Sequence, residues 1–225
     1  MKSLDLPSHW RDLALVIIEA DLAAAEETHF SAGEIDIARG FPLPRRRDEW
    51  MISRIAVKEL AVARGLVSTP RSCSVETESS GRPRLIVAGD AILSPVSLSH
   101  TTRSRPRGVV ESGTSVGAAA IDESAIGIDV QFIRPLDERG LHLFLSDEEV
   151  SALQRCTTPL RALHLWCAKE AAWKRLGGTI TTLKRVALTL EAMDASSARF
   201  RGTDGAIVET ACVTNELIVA LATGE

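Results

Sequence analysis

The stretch "WCAKEAAWKRLGG", residues 166–178, has the pattern of an amphipathic helix that ends at a glycine pair. We predict a helix over residues 160–178. On a helical wheel Glu170 lies inside the apolar stripe, whose other members are Leu163, Trp166, Cys167 and Trp173. A buried carboxylate with no partner is costly, so Glu170 must be protonated, paired or bound to a metal ion.

Two interpretations of Glu170 stay open when the helix is taken alone. In the structural one, Glu170 pairs with Lys174 one turn on, an interaction that stabilises an isolated helix by only about 0.3–0.5 kcal/mol. In the functional one, the carboxylate belongs to a binding or catalytic site. The helix by itself favours the structural interpretation.

A second motif, "GIDVQ" at residues 127–131, strengthens the functional interpretation. The two-residue period of a strand places Gly127, Asp129 and Gln131 on one face. The glycine lets a backbone or a phosphate approach closely, and Asp129 offers the hard oxygen that Mg²⁺ prefers. An exposed polar strand face is the alternative explanation.

An earlier helix is predicted over residues 45–66. Its apolar stripe comprises Ile52, Ile55, Val62 and Leu66, and Gly65 marks its end. The segments that begin at Arg54 and Leu165 share the pattern apolar-x-x-Lys-Glu-x-Ala-x-x-Arg, which indicates an internal repeat. Chance is the alternative, because Lys, Glu and Ala are all good helix formers.

Several short segments have strand character. They are "LALVII", "PRLIVA", "PVSLSH", "VALTLEAM", "ARFRG" and "LIVALAT". The segments "SVGAAAI" and "IGIDVQFI", separated by "DESA", are typical of a hairpin with a four-residue loop. Helices and strands alternate without a regular βαβ rhythm, which predicts the α+β class.

Composition excludes several classes of protein. The chain has 225 residues, 45% of them hydrophobic, and a net charge of −4, which argues against a general nucleic-acid binder. The four cysteines show no CxxC spacing, so we expect neither a zinc site nor a disulfide framework. The apolar run "LALVIIEADLAAA", residues 13–25, is too short and too charged to span a bilayer. We therefore expect a cytoplasmic protein without signal peptide or membrane anchor.

Polar and basic residues at three places suit phosphate groups. In "SLSHT", Ser99 and His100 follow a strand, where their hydroxyl and imidazole can bind phosphate or simply end the strand. The run at residues 45–47 opens a helix with three arginines, and Arg82 lies in a turn. Solvated charge explains these arginines equally well.

Taken in order, six motifs resemble those of the Sfp-type 4'-phosphopantetheinyl transferases. They are "RRRDEWMISRIAVKEL", "GRPRL", "SLSHT", "IGIDVQ", "LFLSDEEVSAL" and "LWCAKEAAWKRLGG", within residues 40–190. The resemblance implies two similar α+β subdomains, residues 1–115 and 116–225, related by a pseudo-two-fold axis. Coenzyme A would bind in the cleft between them.

The resemblance also implies an activity. The enzyme would transfer the phosphopantetheine arm of coenzyme A to a serine of an apo acyl or peptidyl carrier protein, with Mg²⁺ held against the pyrophosphate by Asp129 and Glu170. Lys169 and Lys174 would supply positive charge near the pyrophosphate. The residues that would contact the nucleotide phosphates are Arg47, Arg54, Arg82, Ser99 and His100.

Two departures from the family pattern qualify this expectation. Gln131 stands where many relatives have a glutamate as a further metal ligand, and its amide oxygen would bind Mg²⁺ more weakly. Residues 101–115 form a longer segment than is usual there, which could gate access or contact the carrier protein. The alternatives are a homologue that binds coenzyme A or a carrier protein without transfer, and one that catalyses another step on a carrier-bound intermediate. An internally duplicated chain favours a monomer.

Overall fold

The structure is a computed structural model that describes residues 2–10, 15–20, 22–103, 115–134, 136, 138–155, 160–177 and 182–224. The chain divides into two compact units, Met1–Glu123 and Ser124–Glu225. This division lies beyond the predicted boundary at residue 115, because the strand Ser115–Ile121 pairs within the first unit.

The first unit contains three helices and seven strands among its described residues. The helices are α1 (Leu22–His29), α2 (Ala32–Arg39) and α3 (Pro44–Ala63); the strands are β1 (Lys2–Ser3), β2 (Leu15–Glu19), β3 (Cys73–Thr77), β4 (Pro83–Val87), β5 (Asp90–Ala91), β6 (Val96–Thr102) and β7 (Ser115–Ile121). The strands form a four-stranded antiparallel sheet in the order β1-β2-β7-β6 and a smaller sheet in the order β3-β4-β5.

Helix α3 packs against the larger sheet of the first unit. Ile52 and Ile55 are fully buried, as the predicted stripe requires. A Cβ atom on Gly117 of β7 would lie 2.3 Å from the Ile52 carbonyl oxygen, so the glycine allows the helix backbone to rest directly on the strand. The stripe ends sooner than predicted: Gly65 has a φ of +69° just beyond α3, and Leu66 is 41% exposed.

The second unit contains three helices and five strands among its described residues. The helices are α4 (Glu138–Phe144), α5 (Asp147–Arg155) and α6 (Arg161–Arg175); the strands are β8 (Gly127–Phe132), β9 (Leu188–Met193), β10 (Ser197–Gly202), β11 (Ile207–Thr214) and β12 (Leu217–Thr223). The strands form one antiparallel sheet in the order β8-β12-β11-β10-β9, and α6 packs against β8, β12 and β11. The predicted α+β class is confirmed.

The predicted hairpin between β7 and β8 is wrong. Strand β7 pairs with β2 and β6, whereas β8 pairs with β12. All seven residues of β7 are buried, so this strand needs a neighbour on each side, and both neighbours come from elsewhere in the first unit. The short segment after β7 therefore joins two sheets and does not close a hairpin.

The internal repeat extends to the contacts of two buried lysines. Lys58 Nζ donates to Glu34 Oε2 at 2.8 Å and to the carbonyl oxygens of His29 and Cys73, at 2.7 and 2.8 Å. Glu34 also forms a capping box with Ser31 at the start of α2. A single glutamate thus closes the N-terminus of one helix and neutralises a lysine on the next.

The second unit repeats this arrangement. Lys169 Nζ donates to Glu149 Oε2 at 2.7 Å and to the carbonyl oxygens of Phe144 and Leu183, at 3.2 and 3.3 Å. Glu149 forms reciprocal hydrogen bonds with Ser146, the residue before α5. In both units the capping serine follows the accepting carbonyl by two residues and precedes the glutamate by three. This agreement supports an internal duplication.

Among the described residues, no helix is both long enough and apolar enough to cross a membrane.

Candidate active site

The polar face of β8 lies against helix α6. Gly127 opens the strand, and a Cβ atom there would lie 1.9 Å from the Ala171 carbonyl oxygen and 2.7 Å from the Arg175 amide nitrogen. Only glycine lets the α6 backbone come this close. Asp129, two residues on, is therefore covered by the helix and is only 2% exposed.

Among the described residues, the side chains of Lys174, Cys167 and Gln131 donate to the Asp129 carboxylate. Lys174 Nζ lies 2.7 Å from Oδ1 and also donates to the Ile128 carbonyl oxygen at 3.0 Å. On Oδ2, Cys167 Sγ donates at 3.2 Å and Gln131 Nε2 at 3.1 Å. Two of these donors come from α6 and one from β8, so the carboxylate is fixed between helix and strand.

Glu170 lies beside this cluster and is half-buried. Burial raises the pKa of its carboxyl group, the charge of Asp129 raises it further, and the charge of Lys174 partly opposes both effects. The structure thus brings Asp129, Glu170 and Lys174 together, and the two carboxylates are close enough to repel each other.

The excess negative charge of this cluster fits a divalent cation. Mg²⁺ is commonly bound by one or two carboxylates and completes its shell with water and substrate phosphates. Asp129 and Glu170 can supply the two carboxylates, and Gln131 has an amide oxygen as a weaker third donor. Within the described part of the chain, no group of three or more His, Cys, Asp or Glu side chains is placed to hold a metal ion. Phosphate oxygens or water would therefore have to complete the shell.

Lys169, predicted to approach the pyrophosphate, occupies a different environment. Its side chain is fully buried, and its three hydrogen bonds to oxygen atoms saturate the ammonium group. Burial lowers the pKa of Lys169, and Glu149 opposes that shift. This geometry argues for a structural role of Lys169 and against contact with a phosphate group.

In the first unit, the predicted residue His100 joins a cluster at the start of α3. Glu49, which is 6% exposed, accepts from Arg45 Nε at 2.7 Å and from Arg46 at 3.1 Å, and His100 Nε2 lies 3.6 Å from Glu49 Oε2. Burial alone would raise the pKa of Glu49, but the Arg45 hydrogen bond and the nearby positive charges hold it below its usual range.

Arg54 is a buried arginine with weak partners. It is 8% exposed, its guanidinium lies 4.0 Å from the ring centre of Trp50, and it donates to the Trp50 carbonyl oxygen at 3.3 Å and to Thr77 Oγ1 at 3.4 Å. Its Nε has no hydrogen-bond partner among the described residues. Burial lowers the pKa of Arg54 to about 10, with Glu34 opposing the shift. An anionic ligand would suit this guanidinium.

The remaining predicted phosphate contacts lie on different elements of the first unit. Arg47 pairs with Asp48, Arg82 is exposed in the turn before β4, and Ser99 is buried in β6. Most of the segment at residues 101–115 lies outside the described residues, so its predicted role stays a prediction.

Two side chains that contact the predicted site residues, Cys167 and Glu49, are not among the site residues predicted from the sequence. Cys167 is three positions before Glu170 in the same helical stripe, which could have indicated that its thiol shares the site. Glu49 is four positions after Arg45, a spacing at which helical side chains meet. Its contact with His100 depends on long-range packing and left no local pattern.

Comparison with protein families bears on the second unit. Residues 125–222 match the family model of the 4'-phosphopantetheinyl transferase superfamily. The match covers a little under half of the chain and includes β8 and α6, hence Asp129, Gln131, Glu170 and Lys174. It supports a transferase, and coenzyme A is in general the substrate of this superfamily. No curated protein matches the chain.

Proposed function

We propose that this protein is an Sfp-type, Mg²⁺-dependent transferase that moves the phosphopantetheine arm of coenzyme A to a serine of an acyl or peptidyl carrier protein. One observation carries the proposal: Asp129 of β8 and Glu170 of α6 lie in one cluster with Lys174, inside the residues that match the superfamily.

In the proposed reaction the carrier serine oxygen bonds to the phosphorus that bears the pantetheine arm. The bond from that phosphorus to the adenosine 3',5'-bisphosphate oxygen breaks. Asp129 and Glu170 would hold the Mg²⁺ ion, which supplies positive charge against the pyrophosphate when bound. Phosphoryl transfer needs mainly such positioning and charge.

Glu170 and Lys174 would have further roles. A carboxylate with a raised pKa is a better proton acceptor, so Glu170, directly or through water, would take the proton of the attacking serine. Lys174 would hold Asp129 in place through its hydrogen bond to Oδ1 and add positive charge near the pyrophosphate. In the first unit, His100, Arg54, Arg47, Arg82 and Ser99 are the proposed contacts of the nucleotide phosphates.

Gln131 favours one alternative, a homologue that binds coenzyme A or a carrier protein without transfer. Its amide donates to Asp129 and adds no negative charge, so the site has one carboxylate fewer than a glutamate here would provide. Such a protein would bind its ligand but leave the carrier protein unmodified.

Mass spectrometry separates the two functions. The protein is incubated with coenzyme A, Mg²⁺ and an apo acyl or peptidyl carrier protein, and the carrier mass is followed. A gain of one phosphopantetheine that Asp129→Asn abolishes supports transfer, with Asp147→Asn as the control because that carboxylate is 96% exposed. Binding of coenzyme A without a mass gain supports the alternative.

A further inference from the structure

Cys167 lies in the candidate active site but has no part in the chemistry proposed above. Its side chain is fully buried on α6, one turn before Glu170. Sγ lies 3.2 Å from Asp129 Oδ2 and 4.0 Å from the Ile218 carbonyl oxygen. The carboxylate is therefore much the nearer acceptor.

The thiol can act here only as a donor. A thiolate 3.2 Å from the Asp129 carboxylate would place two negative charges in contact, which the protonated thiol avoids. The sulfur thus keeps its proton, and an S–H group pointing at a carboxylate oxygen makes a charge-assisted hydrogen bond.

This hydrogen bond helps to set the orientation of the Asp129 carboxylate. Lys174 holds Oδ1, while Cys167 and Gln131 share Oδ2. Gln131 lies on the same strand as Asp129, so it moves with that strand. Cys167 and Lys174 are the donors from α6, the helix that also carries Glu170, and one contacts each oxygen of the carboxylate.

We propose that Cys167 is a positioning residue: its S–H group fixes Asp129 Oδ2 so that Asp129 and Glu170 can bind a divalent cation together. The inference rests on the proposed function for the identity of the ligand. It differs from a packing role, because serine, which is no larger than cysteine, would restore a donor to Oδ2, whereas alanine would leave Oδ2 with one fewer hydrogen bond.

The hydrogen bond itself can be measured without any activity. The S–H stretching band in the infrared spectrum shifts when the thiol donates to a carboxylate. The band that Cys167→Ala removes is expected at the position of a strongly bonded thiol, and Asp129→Asn should move it toward that of a weakly bonded one. An unchanged band in Asp129→Asn would overturn the proposal. If Cys167→Ala fails to fold, comparing wild type with Asp129→Asn suffices.

The proposed effect of Cys167 on cation binding can be measured with Mn²⁺. Mn²⁺ affinity is measured by electron paramagnetic resonance on the full chain with coenzyme A present. Cys167→Ala should weaken it about three- to tenfold, the effect of losing one hydrogen bond. Cys167→Ser restores an O–H donor and should recover most of the affinity. Cys212→Ala, a cysteine of β11, is the matched control.

The outcomes separate this inference from the proposed function. If Cys167→Ala binds Mn²⁺ as tightly as wild type, Cys167 has no positioning role, even when transfer is observed. If the wild type binds Mn²⁺ and shows the cysteine dependence but transfers nothing, the positioning role holds and the transferase proposal fails. If transfer occurs, its Mg²⁺ requirement should rise in Cys167→Ala and return in Cys167→Ser.

Discussion

Lys174 Nζ lies 2.7 Å from Oδ1 of Asp129, a residue on a different secondary-structure element. Helical spacing suggests a pair between Lys174 and Glu170, but β8 offers two better acceptors, a buried carboxylate and the Ile128 carbonyl oxygen. The same ammonium charge also opposes part of the rise in the pKa of Glu170 that burial and Asp129 cause. One lysine therefore offsets part of the repulsion between the two carboxylates.

Replacing Lys174 should make the protein depend on metal ions for stability. Lys174→Met leaves Asp129 buried beside Glu170 without its cation, and we expect a loss on the order of 2 kcal/mol in the free energy of unfolding without Mg²⁺. Adding Mg²⁺ should raise the melting temperature of this variant more than that of wild type. Lys184→Met, at an exposed position, is the control. Equal Mg²⁺ responses of Lys174→Met and wild type would contradict the proposed metal site.

Glu170→Gln should strongly reduce transfer while preserving the fold. Because the folded-state pKa of Glu170 is raised, its ionisation opposes folding: stability is highest below the ordinary pKa and is lost as pH rises through the raised one. Without Mg²⁺, the variant should therefore be at least as stable as wild type in urea unfolding at neutral pH, and this advantage should vanish in acid. Transfer should fall about 10²- to 10⁴-fold. An undiminished rate would remove Glu170 from the proposed mechanism.

Gly127→Ala should disturb the site through the backbone. The new Cβ would lie 1.9 Å from the Ala171 carbonyl oxygen, so α6 must move away from β8. We expect a loss of about 3 kcal/mol, at the upper end for overpacking, with weaker metal binding. Gly140→Ala in α4 is the matched control, since its Cβ meets nothing within 4 Å. If both variants unfold at the wild-type urea concentration, the contact between strand and helix is looser than described.

The sequence predicts the parts of this fold that depend on local pattern. Helices α3 and α6 and the strands β2, β4 and β6 follow from apolar periodicity, and the polar face of β8 follows from alternation. The hairpin prediction fails because the partners of β7 are the preceding strand β6 and the distant strand β2, a choice that the local sequence does not show.

In the candidate site, too, the sequence predicts residues that have a local pattern but not contacts that depend on long-range packing. Asp129 and Glu170 carry local signals, a polar strand face and a carboxylate in an apolar stripe. Lys169 precedes Glu170 directly, and adjacent helical residues point in directions about 100° apart. The sequence does not show that Glu149 will be placed to receive the lysine, because that depends on how α5 packs against α6.

Lys169→Met should therefore destabilise the protein without changing its affinity for coenzyme A. The substitution leaves Glu149 and two carbonyl oxygens without their donor, and we expect a loss of about 3 kcal/mol. Lys58→Met removes the equivalent lysine of the first unit and should behave alike. Thermal unfolding and calorimetric titration with coenzyme A at low temperature measure the two effects. Normal stability with reduced affinity would return Lys169 to the phosphate-binding residues.

His164 should make the second unit sensitive to acid. The ring belongs to α6 and is fully buried, with Nδ1 2.7 Å from Oγ1 of Thr210 on β11, and the Thr210 hydroxyl donates to the Ala198 carbonyl oxygen at 3.3 Å. Thr210 Oγ1 then accepts from Nδ1–H, and because Nε2 is buried with no partner among the described residues, the ring is neutral with its proton on Nδ1. Burial lowers the pKa of His164 to about 4, and the charge of Asp194 opposes that shift.

The sign of this effect follows from proton binding. Between the ordinary pKa of 6.5 and the folded-state value of about 4, the unfolded chain binds a proton at His164 that the folded protein does not. Stability contributed by the neutral ring is complete above pH 6.5 and declines as pH falls to about 4, by on the order of 3 kcal/mol. His164→Asn, which keeps a donor near the Nδ1 position, should flatten the dependence of unfolding free energy on pH across this window. His142→Gln, at a side chain 60% exposed, should keep the wild-type slope. A wild-type slope in His164→Asn would assign the acid sensitivity to carboxylates instead.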